Sequence, residues 1–410
     1  MGGLLRQYWI PALLSSELAG PDCRPIRVLL LGERLIAFRD TGGRVGLIAN
    51  HCPHRGASLF FGRNEAGGLR CVYHGWKFDI AGRCMDMPNE PQESNFSEKI
   101  RATTYPCVEQ GGIVWAYMGP RPTPPPFPML EATLLNDDER ELAAYSRECN
   151  WLQSLEGDID SCHVGFLHFG GLRAETVPAA SFKRVTVLDR APRLEVADTE
   201  AGAMYAALRR LATGLLDCRI VQFLLPFYVL LESGMLGEEI GLRAWVPMDD
   251  EHTMFFGINK TAGGSTQTQA PPQRTGFELL PNDSGWMGRH RMAANAGNDY
   301  LIDREAQRQG DYTGIAGIFT QDAAVTESMG PIVNRDAEHL GTSDLMVIRV
   351  RQRLAAAAKN LSERGTPPSG VDSPHAYAVR SGGVFLPQGL NWIEATETLR
   401  RPTSENKTES

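Results

Sequence analysis

The stretch that decides how this chain is read runs from His51 to Phe78, HCPHRGASLFFGRNEAGGLRCVYHGWKF. It holds Cys52-Pro53-His54, then sixteen residues, then Cys71-Val72-Tyr73-His74, so two Cys/His pairs stand at the ends of what reads as a pair of hairpin loops. Such a quartet is a metal site. Zinc accepts two thiolates and two imidazoles, and so does a two-iron cluster in which the thiolates hold one iron and the imidazoles the other. Gly56, Gly75 and Trp76 around the pairs favour the cluster over a structural zinc knuckle. Replacing two thiolates by neutral imidazoles removes negative charge, which makes the cluster a better electron acceptor than an all-thiolate one.

Working outward, a chain of 410 residues is long enough to bury more than one core, and two domains are expected. A formal charge of -8 with no long Lys/Arg block argues against nucleic acid as a partner, because phosphate neutralisation needs clustered cations. The longest apolar run, Ile220 to Leu231, is too short to span a bilayer and contains Gln222 and Pro226; it reads as two buried strands joined at a turn. No membrane span is expected. The first residues, MGGLLRQYWIPALL, lack the pattern of a secretory signal. Six of the eight cysteines lie outside the metal pairs and form no disulfide framework, which points to a reducing cytoplasm.

Residues 1–24 read as an N-terminal arm, with Leu4 to Leu18 a short arm or helix interrupted by Pro11. Residues 25–120 read as an all-β unit around the metal loops. Its strands are Ile26 to Leu31, Leu35 to Arg39, Val45 to Ile48, Ala102 to Val108 and Ile113 to Met118, punctuated by Gly-containing turns. The proline run over 121–128 is an extended linker, and 129–400 form a second, α+β unit. There Asn150 to Phe169 is helix-like. Phe182 to Val187, Met204 to Leu208, Arg219 to Phe223, Tyr228 to Leu231, Ile240 to Val246 and Thr253 to Asn259 are strand candidates for one antiparallel sheet. Thr261 to Asn298 is an aperiodic polar loop or lid. Ser343 can cap a last helix whose apolar stripe is Val347, Val350, Leu354, Ala358 and Leu361. Residues 401–410 are a polar, frayed tail.

The helix-like segment carries a second candidate metal site. His163 and His168 are five apart, about 140° round a regular helix, so both reach one ion only if the helix bends between them. Gly165 offers the place. Asp160, three residues before His163, is within reach of its ring, as expected of a carboxylate that fixes an imidazole tautomer. A facial triad still needs one carboxylate from elsewhere.

Together, Cys-x-His with Cys-x-x-His, the Pro-rich junction and Asp160-x-x-His163-x4-His168 resemble the Rieske non-haem iron oxygenases. The phrases CVYHGWKFD, VWAYMGP, NWLQSLEGDIDSCHVGFLH and TQDAAVTESMGPIVNRDAEHLGTSD are most similar to the phthalate and phenoxybenzoate dioxygenase branch. The resemblance implies an N-terminal all-β Rieske [2Fe-2S] domain and a catalytic domain with a helix-grip sheet over mononuclear Fe(II). It implies cluster ligands Cys52, His54, Cys71 and His74, and a missing carboxylate at Asp322, with Asp303, Asp311 and Glu327 as rivals. It also implies a head-to-tail trimer, single or stacked, in which Asp160 couples His163 to a neighbour's cluster through His74.

The expected activity is cis-dihydroxylation of an aromatic acid with O2; the alternative is a monooxygenase or O-demethylase of the same iron chemistry. An electron carrier with a dead second site is the rival from another class, and the length after the linker argues against it. No G-x-G-x-x-G follows a strand and no second set of four clustered cysteines is present, so electrons from NADH are expected to come through a separate flavin/iron-sulfur reductase. Arg209 and Arg243 lie on strand-like runs, and either could reach into the pocket to hold a substrate carboxylate.

Overall fold

The computed structural model describes residues 1–91, 93–178, 182–232, 234–261 and 277–402. Much of the expected polar loop (262–276) and most of the tail (403–410) lie outside the described residues.

Two four-stranded antiparallel sheets frame the metal loops. One runs Ile26–Leu30, Glu33–Arg39, Val45–Ala49 and Thr104–Tyr105; the other Arg63–Glu65, Gly68–Arg70, Lys77–Phe78 and Cys84–Asp86. Ile36, Phe38, Ile48, Leu69, Trp76 and Phe78 close a small core of their own beneath the loops. Ala102 to Val108 is not one strand. Pro106 has no N–H to donate, and it separates Thr104–Tyr105 from Cys107–Gln110, which belongs to a different sheet.

That third sheet changes the reading of the first residues. Trp9–Leu14 is not an arm or a helix but an edge strand paired with Ile113–Tyr117, and the pairing slips at Pro11, where a donor is missing. Within this segment Gly2–Leu5 is α-helical and Ser15–Glu17 a single 3-10 turn. The sheet packs into the same core as the larger unit. The proline run is held against it: the Trp9 indole donates to the Pro125 carbonyl at 2.9 Å, and the Trp115 and Phe127 rings meet edge to face at 5.1 Å.

The larger unit is built on an eight-stranded antiparallel sheet. We number its strands β1 (Arg140–Arg147), β2 (Arg193–Asp198), β3 (Gly202–Arg210), β4 (Leu215–Leu224), β5 (Tyr228–Leu230), β6 (Gly241–Pro247), β7 (Thr253–Lys260) and β8 (Gly382–Pro387). The order is β1-β7-β6-β5-β4-β3-β2, with β8 added to β4. The run Ile220 to Leu231 does resolve into two strands joined by a turn, all of it in or beside the core. Four helices bear on the argument: α1 (Trp151–Asp158), α2 (Phe182–Leu188), α3 (Ile318–Ser328) and α4 (Leu345–Arg364). Helix α2 replaces the strand expected over Phe182 to Val187; β-branched residues disfavour a helix only weakly, and local context overrides them. Helix α4 buries Met346, Val347, Val350 and Leu354, with Ala358 and Leu361 against the core. Its N-cap is Asp344, not Ser343, which lies in the preceding 3-10 turn.

Candidate metal centres

The two cysteine loops share one backbone plan. The Gly56 N–H donates to the Cys52 carbonyl at 2.9 Å, and the Gly75 N–H to the Cys71 carbonyl at 3.0 Å. Both glycines sit at positive φ, +76° and +79°, where other residues are strained. At Gly75 a Cβ would also stand 2.5 Å from Pro88 Cγ. These turns bury Cys52 and Cys71 together and bring the His54 and His74 rings to 4.4 Å. Burial first, and the neighbouring Cys71, push the Cys52 thiol up to about 11. Trp76 stacks on His54 at 4.4 Å, and its indole donates to Asn89 Oδ1 at 2.6 Å.

His54 Nδ1 is buried with no partner among the described residues. A single tetrahedral ion would draw all four donors within about 4 Å of one another. Among the described residues no three of these four donors come within 4.8 Å, a convergence found only at the second site. A thiolate pair and an imidazole pair set apart suit two irons better than one zinc.

The second site forms where two chain segments meet. Asn150 caps α1 by accepting from the Leu152 N–H at 3.1 Å, and the helix ends at Asp158. The continuous helix to Phe169 does not form, and the break falls before Asp160, not at Gly165. His163 opens a short 3-10 turn, which carries the chain round so that His163 Nε2 and His168 Nε2 face each other at 3.1 Å. From α3, Asp322 Oδ1 lies 3.3 Å from His168 Nε2 and 3.7 Å from His163 Nε2. Three donors at about 2.1 Å from one ion and at right angles would stand about 3 Å apart.

Asp160 Oδ2 lies 3.5 Å from His163 Nδ1, a charge contact that leaves this buried nitrogen without a hydrogen-bond partner among the described residues, while its Oδ1 accepts from the Cys162 N–H at 2.7 Å. Burial opposes charge at this site, yet Asp160 and Asp322 hold the His163 pKa above its ordinary value. Burial likewise opposes charge on Asp322, and the two histidines outweigh it and lower the pKa.

The rival carboxylates are occupied elsewhere. Asp303 caps a short helix by accepting from the Glu305 and Ala306 N–H groups, Asp311 closes a turn onto Thr313 and Gly314, and Glu327 accepts from the Tyr300 hydroxyl at 2.7 Å.

Both candidate arginines reach from the sheet toward the segment that bears the histidines. Arg243 Nη1 donates to Asp158 Oδ1 at 2.6 Å, and the Trp245 indole donates to Asp158 Oδ2 at 2.6 Å. Arg209 is buried, with Nε donating to the Asp189 carbonyl at 2.9 Å and Nη2 to Ser161 Oγ at 3.4 Å. Tyr145, Trp245, Phe255 and Phe319 gather beside Arg243, whose guanidinium lies 5.3 Å over the Phe319 ring. Sequence reasoning gave no separate role to Asp158, one of several carboxylates near the histidines, or to Gln321. Gln321 Oε1 lies 2.8 Å from His168 Nδ1, and only its place beside Asp322 marked it.

Comparison with known proteins agrees with this geometry. Residues 8–106 match the Rieske [2Fe-2S] domain family, and residues 116–408 match the family described as LigXa C-terminal domain like. The chain is 43% identical to the 3-chlorobenzoate-3,4-dioxygenase oxygenase subunit of Comamonas testosteroni, over 97% of this chain and 94% of that one. It is 39% identical to the phthalate 4,5-dioxygenase oxygenase subunit of Pseudomonas putida, over 91% and 87%. The fold is shared with the crystal structure of dicamba monooxygenase bound to dicamba, at a TM-score of 0.60 and 18% identity, covering 88% of this chain and 99% of that one. A cluster-binding β unit joined to an α+β unit with a mononuclear iron centre, in sequence and in fold, makes this chain a member of the Rieske non-haem iron oxygenases, as an oxygenase subunit.

Proposed function

We infer that the protein oxidises an anionic aromatic acid by dioxygenation, with electrons delivered from NADH through a separate reductase. The observation that carries this reading is the meeting of His163, His168 and Asp322 at 3.1–3.7 Å, on the side of the sheet toward which Arg209 and Arg243 reach. Two relatives similar over nearly their full length are named for 3-chlorobenzoate and phthalate, both aromatic acids.

Cys52 and Cys71 would hold one iron of the cluster and His54 and His74 the other, and His163, His168 and Asp322 would hold the mononuclear iron. When bound, the cluster supplies electrons singly and the ferrous ion activates dioxygen; one aromatic ring, one O2, two electrons and two protons give one cis-dihydrodiol. Asp160 keeps the proton of His163 on Nδ1, so that Nε2 stays free. Arg243, held by Asp158, or Arg209 offers a guanidinium to the substrate carboxylate, and the aromatic side chains beside Arg243 form the wall for the ring. Anchoring at the carboxylate sets which ring carbons meet the oxidant. In a head-to-tail trimer Asp160 links His163 to the neighbour's His74, and each subunit both gives and receives electrons. The reaction suits a reducing cytoplasm.

The test supplies purified protein, reductase and NADH with a panel of aromatic acids under 18O2. Both labelled atoms in one cis-diol are expected. One labelled atom, or formaldehyde from a methoxy substrate, assigns a monooxygenase or O-demethylase instead.

A further inference from the structure

His168 is the innermost of the three donors, its side chain 7% exposed against 23% for His163 and 27% for Asp322. Its outward nitrogen, Nδ1, therefore needs a partner inside the protein. That partner is Gln321 Oε1 at 2.8 Å, from the residue immediately before Asp322 on α3. A glutamine side chain can be turned either way, and which end faces the imidazole decides the chemistry.

Here the far end settles the orientation. The other terminal atom of Gln321 lies 2.9 Å from the Ile315 carbonyl oxygen and 3.1 Å from Thr313 Oγ1. A carbonyl oxygen only accepts, so the amide nitrogen of Gln321 must face Ile315, and its oxygen must face His168. An oxygen facing Nδ1 requires the proton to be on Nδ1. The lone pair of His168 is thereby left on Nε2, aimed at the point shared with His163 Nε2 and Asp322 Oδ1. Thr313 is itself fixed, since its Oγ1 also accepts from the Ile315 N–H at 3.0 Å.

We propose that Gln321 is a positioning residue for the mononuclear metal centre, which transmits the fixed direction of the Ile315 carbonyl to the tautomer and ring plane of His168. The proposal rests on the reading of His163, His168 and Asp322 as metal ligands. It makes one helix the source of both a ligand, Asp322, and the clamp on another ligand. It also gives the turn over Thr313 to Ile315 a role in metal retention, although no donor atom comes from it.

The test uses cluster-loaded protein freed of mononuclear metal with a mild chelator and titrated with Co(II), read by the visible bands of the bound cobalt. The cluster absorbance and the melting temperature serve as folding controls. Gln321→Leu removes the acceptor for Nδ1–H and is expected to weaken Co(II) binding by about 10- to 100-fold, the range for loss of such a partner. Gln321→Glu keeps an oxygen toward Nδ1 but sets its other oxygen against the Ile315 carbonyl, so the acceptor survives while the anchor is lost, and binding between that of the wild type and that of Gln321→Leu is expected. Should Gln321→Leu not fold, Gln321→Asn, which withdraws the amide by one methylene, is expected to show the same loss. Two results overturn the proposal: the acceptor-deficient variant binding cobalt as the wild type does, or Gln321→Glu binding as weakly as Gln321→Leu. The second would make Gln321 only a brace for the turn. Wild-type protein that takes up no cobalt, or takes it up equally after His168→Ala, refutes the metal-centre reading itself and is distinct from both.

Discussion

The Asp158 carboxylate ties the end of α1 to β6, and its removal tests how the site is held on the sheet. It accepts from Arg243 and from the Trp245 indole, each at 2.6 Å, and its side chain is 8% exposed against 20% for Arg243. Burial is the largest influence on Asp158 and raises its pKa, with Arg243 opposing the rise. Asp158→Ala leaves a mostly buried guanidinium and an indole N–H without their acceptor. Breaking a buried pair from one side costs about 3–5 kcal/mol, and the partial exposure of Arg243 puts this case near about 3 kcal/mol. For a unit of this size that lowers the melting temperature by about 5 °C. Arg243→Met, which strands the carboxylate, should cost a similar amount. The double variant removes both charges together, so its loss should be close to that of one single change and not to their sum, a coupling of about 3 kcal/mol. Calorimetry of the catalytic-unit transition, with cluster absorbance as a control, reads all three. In turnover assays Asp158→Ala should also raise KM for aromatic acids, because Arg243 loses its hold. Single shifts below about 2 °C, or strict additivity in the double variant, would refute the account of Asp158 as the tie.

Two further predictions concern the ends of the same architecture. Glu17 is largely buried, which opposes its charge, yet Arg289 and His290 lower its pKa from 4.5 to about 2. A depressed carboxylate stabilises above its unfolded value, so its contribution, at most about 3 kcal/mol, should be complete above about pH 5 and fade as pH falls from 4.5 toward 2. Glu17→Gln should flatten that part of the stability profile; an unchanged acid limb would sink the assignment. Asp160→Asn keeps the size of the side chain 3.5 Å from His163 Nδ1 but removes its charge. Metal analysis should find both centres largely loaded while turnover collapses, and in a single turnover the reduced cluster should stay reduced; normal cluster oxidation would show that electrons take another route.

What the sequence determined by itself was chemistry carried by local spacing. Cys52, His54, Cys71 and His74 stand on two short turns, and the glycines at positive φ that make those turns are visible as letters. His163 and His168 are five apart, and a short turn suffices to bring them together. The run Ile220 to Leu231 announced two strands because Pro226 cannot continue one. Local spacing left open which carboxylate joins the histidines; the resemblance implied Asp322, and the tertiary structure sets that residue beside them. Asp303, Asp311, Asp322 and Glu327 are equal as letters; caps, turns and a tyrosine engage the other three, while the packing of α3 sets Asp322 3.3 Å from His168. The same holds for Trp9–Leu14, whose pattern fits a helix as well as a strand until Ile113–Tyr117 offers its backbone groups. Gln321 belongs there too. A glutamine has no fixed polarity of its own, and its direction toward His168 comes from the Ile315 carbonyl across a fold that no local pattern encodes.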